Sequence, residues 1–252
     1  ALQEVDRRTR RSNEVDQLAF LAQQTDMYAA FGPSMPHDEG QYGNAILSRF
    51  PLSDVRTHPL PFRQGQEPRS ALVATIKPNS GLPPVNIVST HLSHDRERED
   101  ARVAQVATLQ ELLENEENPT ILAGDFNARP NSLPMRTLWE AHWIDHIAPH
   151  TAIDYLMTRR QDPWLRKEAA IINDRLTSDH RPVVVTLEWT GHRFPRTDAA
   201  GFPGKLFVLG TSNRTSMEAQ RRLAGQVHFE ELEKCRALLA DGGTVAGSEE
   251  LL

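Results

Sequence analysis

The sequence predicts an α+β protein whose sheets are mostly antiparallel or mixed. Three observations lead there. Short apolar runs recur along the first 189 residues, bounded by Gly, Pro, Asn, Asp or Ser. Several of them follow one another closely enough to form hairpins. Only a few helical patterns lie between them, and the order is not a strict βαβ repeat. No internal repeat of about 20–50 residues is visible.

The elements follow in order. Residues 13–24 place Val15, Leu18, Ala19 and Ala22 on one helical face, with Ser12 or Asn13 as cap. YAAFGP (28–33) reads as a short strand ending in a turn. Residues 42–48 and 53–60 predict two strands joined tightly through Pro51. Residues 69–77 alternate as a strand, and Gly81, Pro83 and Pro84 make a turn. VNIVST (85–90) is then a strand ending at His91. Residues 95–114 predict an amphipathic helix carrying Val103, Val106, Leu109, Leu112 and Leu113. TILAG is a buried strand that runs into Asp125, and 134–140 a short helix. IDYLM (153–157), AAII (169–172) and PVVVTLEW (182–189) are further strands.

After Trp189 the character changes. Residues 190–204 read as a linker, 205–210 as one strand, and 228–240 as one helix with Phe229, Leu232, Cys235 and Leu239 inward. So short a tail has little apolar surface with which to build its own core. The expected division is a domain over 1–189, then a linker and tail over 190–252.

Composition narrows the classes. The chain has 252 residues, 38% hydrophobic and 25% charged, as in an ordinary soluble globular protein. A net charge of −6 gives no electrostatic footprint for nucleic acid, although a local basic patch or a bound metal overrides net charge. The arginine pairs at 7–8, 10–11, 159–160 and 221–222 read as solvated surface. The single cysteine, Cys235, excludes an intrachain disulfide and a cysteine-rich zinc site. It agrees with a reducing compartment, which slightly favours the cytoplasm. No run of about 18 apolar residues suggests a membrane span, and no signal-peptide pattern is present. The opening residues Ala1 to Glu4 look like the end of a strand, which points to a natural start upstream.

The chemistry lies where polar residues interrupt apolar runs. One strand ends in His91; another ends in Asp125, with Asn127 two residues on; the first segment ends in Glu4. Asp154 begins IDYLM, and Asp179 and His180 precede PVVVTLEW. In antiparallel neighbours the end of one strand lies beside the start of the next. These strand ends and starts can therefore share one rim. Carboxylate oxygens suit hard cations such as Mg²⁺, and a carboxylate can take a proton from water. Histidine can protonate or hydrogen-bond phosphate oxygens, and asparagine can position them without adding charge. Singly, each residue has a structural reading: surface carboxylate, turn residue or cap. Five such positions with matching chemistry point to a phosphate-ester hydrolase. His91 and His94, three apart, could share zinc, but His94 reads better as a loop residue. No G-x-S-x-G elbow, Walker A loop or H-E-x-x-H motif is present.

The segments LQEVD (2–6), GNAILSRFPL (43–52), STHL (89–92), ILAGDFNARP (121–130), IDYLM (153–157) and TSDHRPV (177–183) resemble the endonuclease/exonuclease/phosphatase superfamily. The resemblance covers about residues 1–189. It implies a four-layer α/β sandwich, with two packed mixed β-sheets flanked by helices. It implies Mg²⁺ or Mn²⁺ dependence, with Glu4 as metal ligand and Asp179 as a further carboxylate near the metal. It implies catalytic roles for His91, Asp125, Asn127, Asp154 and His180. Asp125 would activate water, Asn127 would be its partner, and Asp154 would orient His180 on the phosphate. Arg69 and Asn44 fall in accessory segments that could line the pocket. The implied substrate is a small phosphodiester, phospholipid or nucleotide. Two alternatives stand beside it: a nuclease on DNA or RNA, and a catalytically impaired binding or scaffold protein. The DNA-repair branch usually carries a tyrosine-bearing motif where this chain has THL.

Two departures from the family pattern are visible. The family's opening strand, which bears an asparagine near the metal, is absent. The tail is read as unrelated sequence, with return of 205–213 and Asn213 to the vacant slot as the alternative. The stretch from His146 to Ala152 is also short for the family.

Overall fold

The computed structural model describes residues 1–78, 82–95, 97–147, 152–174, 176–191 and 204–210, the last stretch as backbone only. Twelve strands form two six-stranded mixed sheets among these residues. The first contains β1 (Leu2–Arg7), β2 (Tyr28–His37), β3 (Gly40–Ser48), β10 (Trp164–Ile171), β11 (Val183–Trp189) and β12 (Gly204–Gly210), in the order β10-β11-β12-β1-β3-β2. The second contains β4 (Leu52–Leu60), β5 (Arg69–Ile76), β6 (Val85–His91), β7 (Thr120–Asp125), β8 (Trp143–Asp145) and β9 (Asp154–Arg159), in the order β4-β5-β6-β7-β9-β8.

Strand alternation builds four layers. Along β5, β7 and β9, Leu72, Ala74, Ile121, Ala123 and Leu156 face the other sheet. Their neighbours Ala71, Val73, Leu122, Tyr155 and Met157 face outward onto helices α2 (Glu99–Glu114) and α3 (Leu133–Glu140). The predicted apolar runs are therefore buried on both faces, which is why they do not alternate with polar residues. Helix α1 (Gln17–Thr25) covers the first sheet with Leu18 against Leu2, Val5 and Ala45. The result is the expected four-layer α+β sandwich.

Several local expectations are corrected. The first helix starts later than its apolar pattern suggests. Asn13 and Glu14 take left-handed backbone (φ 53° and 59°), which ends a short 3₁₀ turn over 10–12. Asp16 then caps α1, its Oδ1 accepting from Ala19 N at 3.0 Å. The strand predicted to stop at Pro33 continues to His37. It is an edge strand, where a missing N–H is tolerated, and its register shifts between Pro33 and Met35. Asp38 and Glu39, both at positive φ, close the hairpin to β3. β3 and β4, predicted as neighbours, lie in different sheets.

The tail strand β12 pairs parallel with β1 and antiparallel with β11. It thus lies between them, so residues 205–210 join the first sheet as a strand. Asn213 and the predicted helix over 228–240 lie outside the described residues. Among the described residues, no helix is long and apolar enough to cross a membrane.

One buried histidine ties stability to pH. His146 is buried, and its Nε2 lies 2.8 Å from the Thr158 hydroxyl. Burial lowers its pKa to about 4, so the fold holds it neutral. An unfolded histidine gains a proton near its ordinary value of about 6.5. Stability should therefore fall as pH drops from about 6.5 to about 4, by on the order of 2 kcal/mol after discounting for partial solvent contact. Urea titrations of His146→Gln should lose that component; an identical pH slope in variant and wild type would contradict it.

Candidate active site

Three strand termini set the floor of the site. His91 ends β6 and Asp125 ends β7, and the two residues are direct partners across the parallel ladder. Asp125 in turn pairs with Asp154, the first residue of antiparallel β9. The alternation that turns Ala123 and Leu156 toward the other sheet also turns Asp125 and Asp154 that way. One row of side chains therefore faces the first sheet at its rim.

The segment Gly124–Asp125–Phe126–Asn127 shows why each residue type is needed. A Cβ at Gly124 would come within 2.0 Å of the Thr90 carbonyl oxygen, so only glycine permits this approach of β6 and β7. Phe126 is fully buried in the outer core and anchors the chain as the strand ends. Asn127 takes a positive φ of 47°, which asparagine tolerates. Its N–H donates to Asp125 Oδ1 at 2.8 Å. Its side-chain amide donates to Leu92 O at 3.1 Å and to Asp125 Oδ2 at 3.3 Å. Tyr155 holds this turn from below, its hydroxyl donating to Ala128 O at 2.8 Å.

Glu4 and His180 arrive from the first sheet. Leu2 and Val5 both pack outward although three residues apart, and the register against β3 shifts between them. That irregularity, with Glu4 at φ 59°, turns both Gln3 and Glu4 toward the second sheet. Gln3 Nε2 donates to Ser89 Oγ at 3.1 Å, and Ser89 Oγ donates to Leu2 O at 3.0 Å. These bonds fix β1 against β6 and bring Glu4 Oε1 within 3.9 Å of His91 Nδ1. His180 lies on the loop before β11, its N–H donating to Ser178 Oγ at 3.0 Å.

The charges are sharply arranged. His180 Nδ1 donates to both oxygens of Asp154, at 2.9 and 3.0 Å. That bond, with the nearby carboxylate charges, raises its pKa to about 9 against the opposing effect of burial. His180 is thus an imidazolium at neutral pH, its Nε2 facing Asp125 Oδ2 at 3.8 Å. Asp125 is held well above the usual carboxylate range, first by burial and then by the charge of Asp154. His91 is held neutral by burial and by Arg69. Arg69 Nη1 faces its Nδ1 at 3.3 Å, and the Asn127 amide nitrogen faces its Nε2 at 3.1 Å, with Asp125 Oδ2 3.5 Å from the same Nε2.

The structure therefore brings together Glu4, His91, Asp125, Asn127, Asp154 and His180. Asp179 is exposed beside His180, and its charge adds to the upward shift there. Asn44 is buried; its amide donates to Ser70 O at 2.8 Å and braces the start of β5. Arg69 does approach the site. Reading the sequence missed Tyr155 and Ser178 as supports and Glu67 as the carboxylate on Arg69. The serine two residues before His180 was a legible turn signal.

Among the described residues, ligand atoms of Asp125, Asp154 and His180 lie within 4.8 Å of one another. A protonated His180 whose Nδ1 is committed to Asp154 is a poor metal ligand, so this trio reads as a proton-handling group. The carboxylates of Asp125 and Glu4 nonetheless have the oxygen chemistry that a hard cation takes. Asp125 carries the repulsion of both Asp154 and Glu4, which a cation would relieve.

A model of the "Endonuclease/Exonuclease/phosphatase family" matches residues 1–180. The uncharacterized protein YbhP of Escherichia coli is 33% identical over 110 residues, which is 43% of this chain and 42% of that relative. The matched stretch thus spans less than half the length of that relative. The fold is similar to that of a functionally unknown conserved protein from Enterococcus faecalis, with TM-score 0.59 and 21% identity over 70% of this chain and 81% of that one. It is similar to a mannosyl-6-phosphatase from Bacteroides thetaiotaomicron, with TM-score 0.55 and 19% identity over 68% and 80%. It is also similar to the human Nocturnin catalytic domain with bound sulfate, with TM-score 0.53 and 19% identity over 63% and 69%.

Proposed function

The chain belongs to the endonuclease/exonuclease/phosphatase family, and from that premise we propose that it is a metal-dependent hydrolase of phosphate esters, acting on phosphodiesters. The observation that carries this reading is the contact of Asp125 with two histidines of opposite protonation. His180 is cationic and bonded to Asp154; His91 is neutral.

Each residue then has one task. Asp125, with its raised affinity for a proton, accepts one from the attacking water. Asn127 holds the Asp125 carboxylate and offers an amide to the same space. His180, oriented by Asp154, places a positive N–H where charge gathers on the phosphoryl oxygens. His91 adds a neutral imidazole without charge repulsion against His180. Glu4 would hold the divalent cation, with Asp179 as a second carboxylate on the exposed side. When bound, Mg²⁺ or Mn²⁺ would offset phosphate charge and favour deprotonation of water.

The test is a substrate panel with Mg²⁺: bis-p-nitrophenyl phosphate, plasmid DNA and phospholipid. Cleavage of the small diester is expected, with at least about a hundredfold loss in EDTA and recovery with excess Mg²⁺ or Mn²⁺. Turnover that survives EDTA would overturn the metal-dependent reading. Preference for plasmid would favour the nuclease reading.

A further inference from the structure

Arg69 opens β5 and is only 2% exposed. From Nη1 it donates to Glu67 Oε1 at 2.7 Å, and from Nη2 to His94 Nδ1 at 2.9 Å. The same Nη1 lies 3.3 Å from His91 and 3.4 Å from the Tyr42 hydroxyl. Because His91 Nε2 is 3.5 Å from Asp125 Oδ2, this guanidinium stands one side chain away from Asp125. Its Nε is buried with no hydrogen-bond partner among the described residues. An apolar side chain would fill the volume without that cost, so what the position gains is a fixed positive charge beside the reacting group.

Glu67 decides how much of that charge an incoming anion meets. It lies on the β4–β5 loop, half-buried, with Oε2 3.7 Å from His94 Nδ1. One carboxylate thus faces both Arg69 and His94, and the pair Arg69–Glu67 has no net charge. A phosphodiester brings one negative charge to this edge of the site. A phosphate monoester above neutral pH brings two, and meets Glu67 as a like charge in a partly dehydrated place. Selectivity of this kind comes from a repulsive element placed against the wrong ligand.

We infer that Glu67, paired with Arg69, is a specificity-determining residue that disfavours doubly charged phosphate monoesters relative to singly charged phosphodiesters. The inference rests on the phosphoesterase reading of the Asp125–His180 site and names its substrate class. Glu67→Gln tests it, because glutamine still accepts the Arg69 hydrogen bond while losing the charge. With the full chain and Mg²⁺ at about pH 8, kcat/KM is measured for p-nitrophenyl phosphate and bis-p-nitrophenyl phosphate. The monoester-to-diester ratio is expected to rise about tenfold in Glu67→Gln, and inorganic phosphate to bind about tenfold tighter by calorimetry. Glu67→Asp keeps the charge and should keep the wild-type ratio within about twofold. An unchanged ratio in Glu67→Gln, or an equal rise in Glu67→Asp, overturns the inference. If wild type hydrolyses neither ester, the phosphoesterase reading fails. Phosphate affinity then still decides the role of Glu67: equal affinity in wild type and Glu67→Gln rejects it.

Discussion

Asp125→Ala is expected to lower turnover of a phosphodiester by about 10³-fold or more, because it removes the general base and disturbs the group that Asn127 and both histidines face. The fold should survive. Asp125 is buried beside Asp154, and its pKa is raised by that burial and that charge. A carboxylate whose folded pKa lies above its unfolded value favours the fold at low pH. That contribution is lost as pH rises through the folded value. Near neutral pH the ionised Asp125 is therefore a burden on the metal-free fold. Thermal melts in EDTA should show Asp125→Asn more stable than wild type at about pH 8, by on the order of 1 kcal/mol, with the advantage shrinking at about pH 4. Wild-type turnover in Asp125→Ala would eliminate the mechanism. A melting point that drops sharply in Asp125→Asn would recast the residue as structural.

The second large effect is expected at Asp154. Its two oxygens both accept from His180 Nδ1, and that bond is the leading reason the imidazolium persists to about pH 9. Asp154→Asn keeps the shape and removes the charge. The pKa of His180 should fall toward its ordinary range, and turnover at about pH 8 should drop about 10²-fold as the cationic form disappears. The sign for stability also follows. His180 has a folded pKa above its unfolded one, so its contribution is complete below about pH 6.5 and is lost as pH rises through about 9. The variant should lack that alkaline loss. NMR titration of the His180 ring reads the shift directly. An unmoved pKa would show that Asp154 does not hold the proton on His180, whatever the change in rate.

Much of this was legible because each chemical residue sits at a fixed offset from an apolar run. TILAG predicts a buried strand, and the strand's end fixes Asp125 at a rim. Phe126 and Asn127 then follow as a core anchor and a left-handed turn. The pairing of Asp154 with His180 was suggested by family resemblance, and the bonds at 2.9 and 3.0 Å give it a geometry. Other features carried no local signal. Pro33 looks like a strand end in the sequence, but proline's cost depends on whether a neighbouring strand needs its N–H, and β2 continues past it. The exposed strand β10 was read only at its end, AAII, because its pattern lacks an apolar face. β8, three residues long, gave too few positions for any periodicity.

The sequence by itself determined the apolar runs, their strand character and the residue types at their ends, because side-chain volume and backbone preference act over a few neighbouring residues. Only the tertiary structure decided the rest. It sent β3 and β4 to different sheets, turned Glu4 inward through an irregular register, and laid Glu67 on Arg69. It also raised His180 and lowered His91, two histidines that the chain alone cannot distinguish. The reason is physical: charge state depends on burial and on partners far along the chain, Asp125 for His180 and His180 for His91, and those distances close only when the two sheets pack.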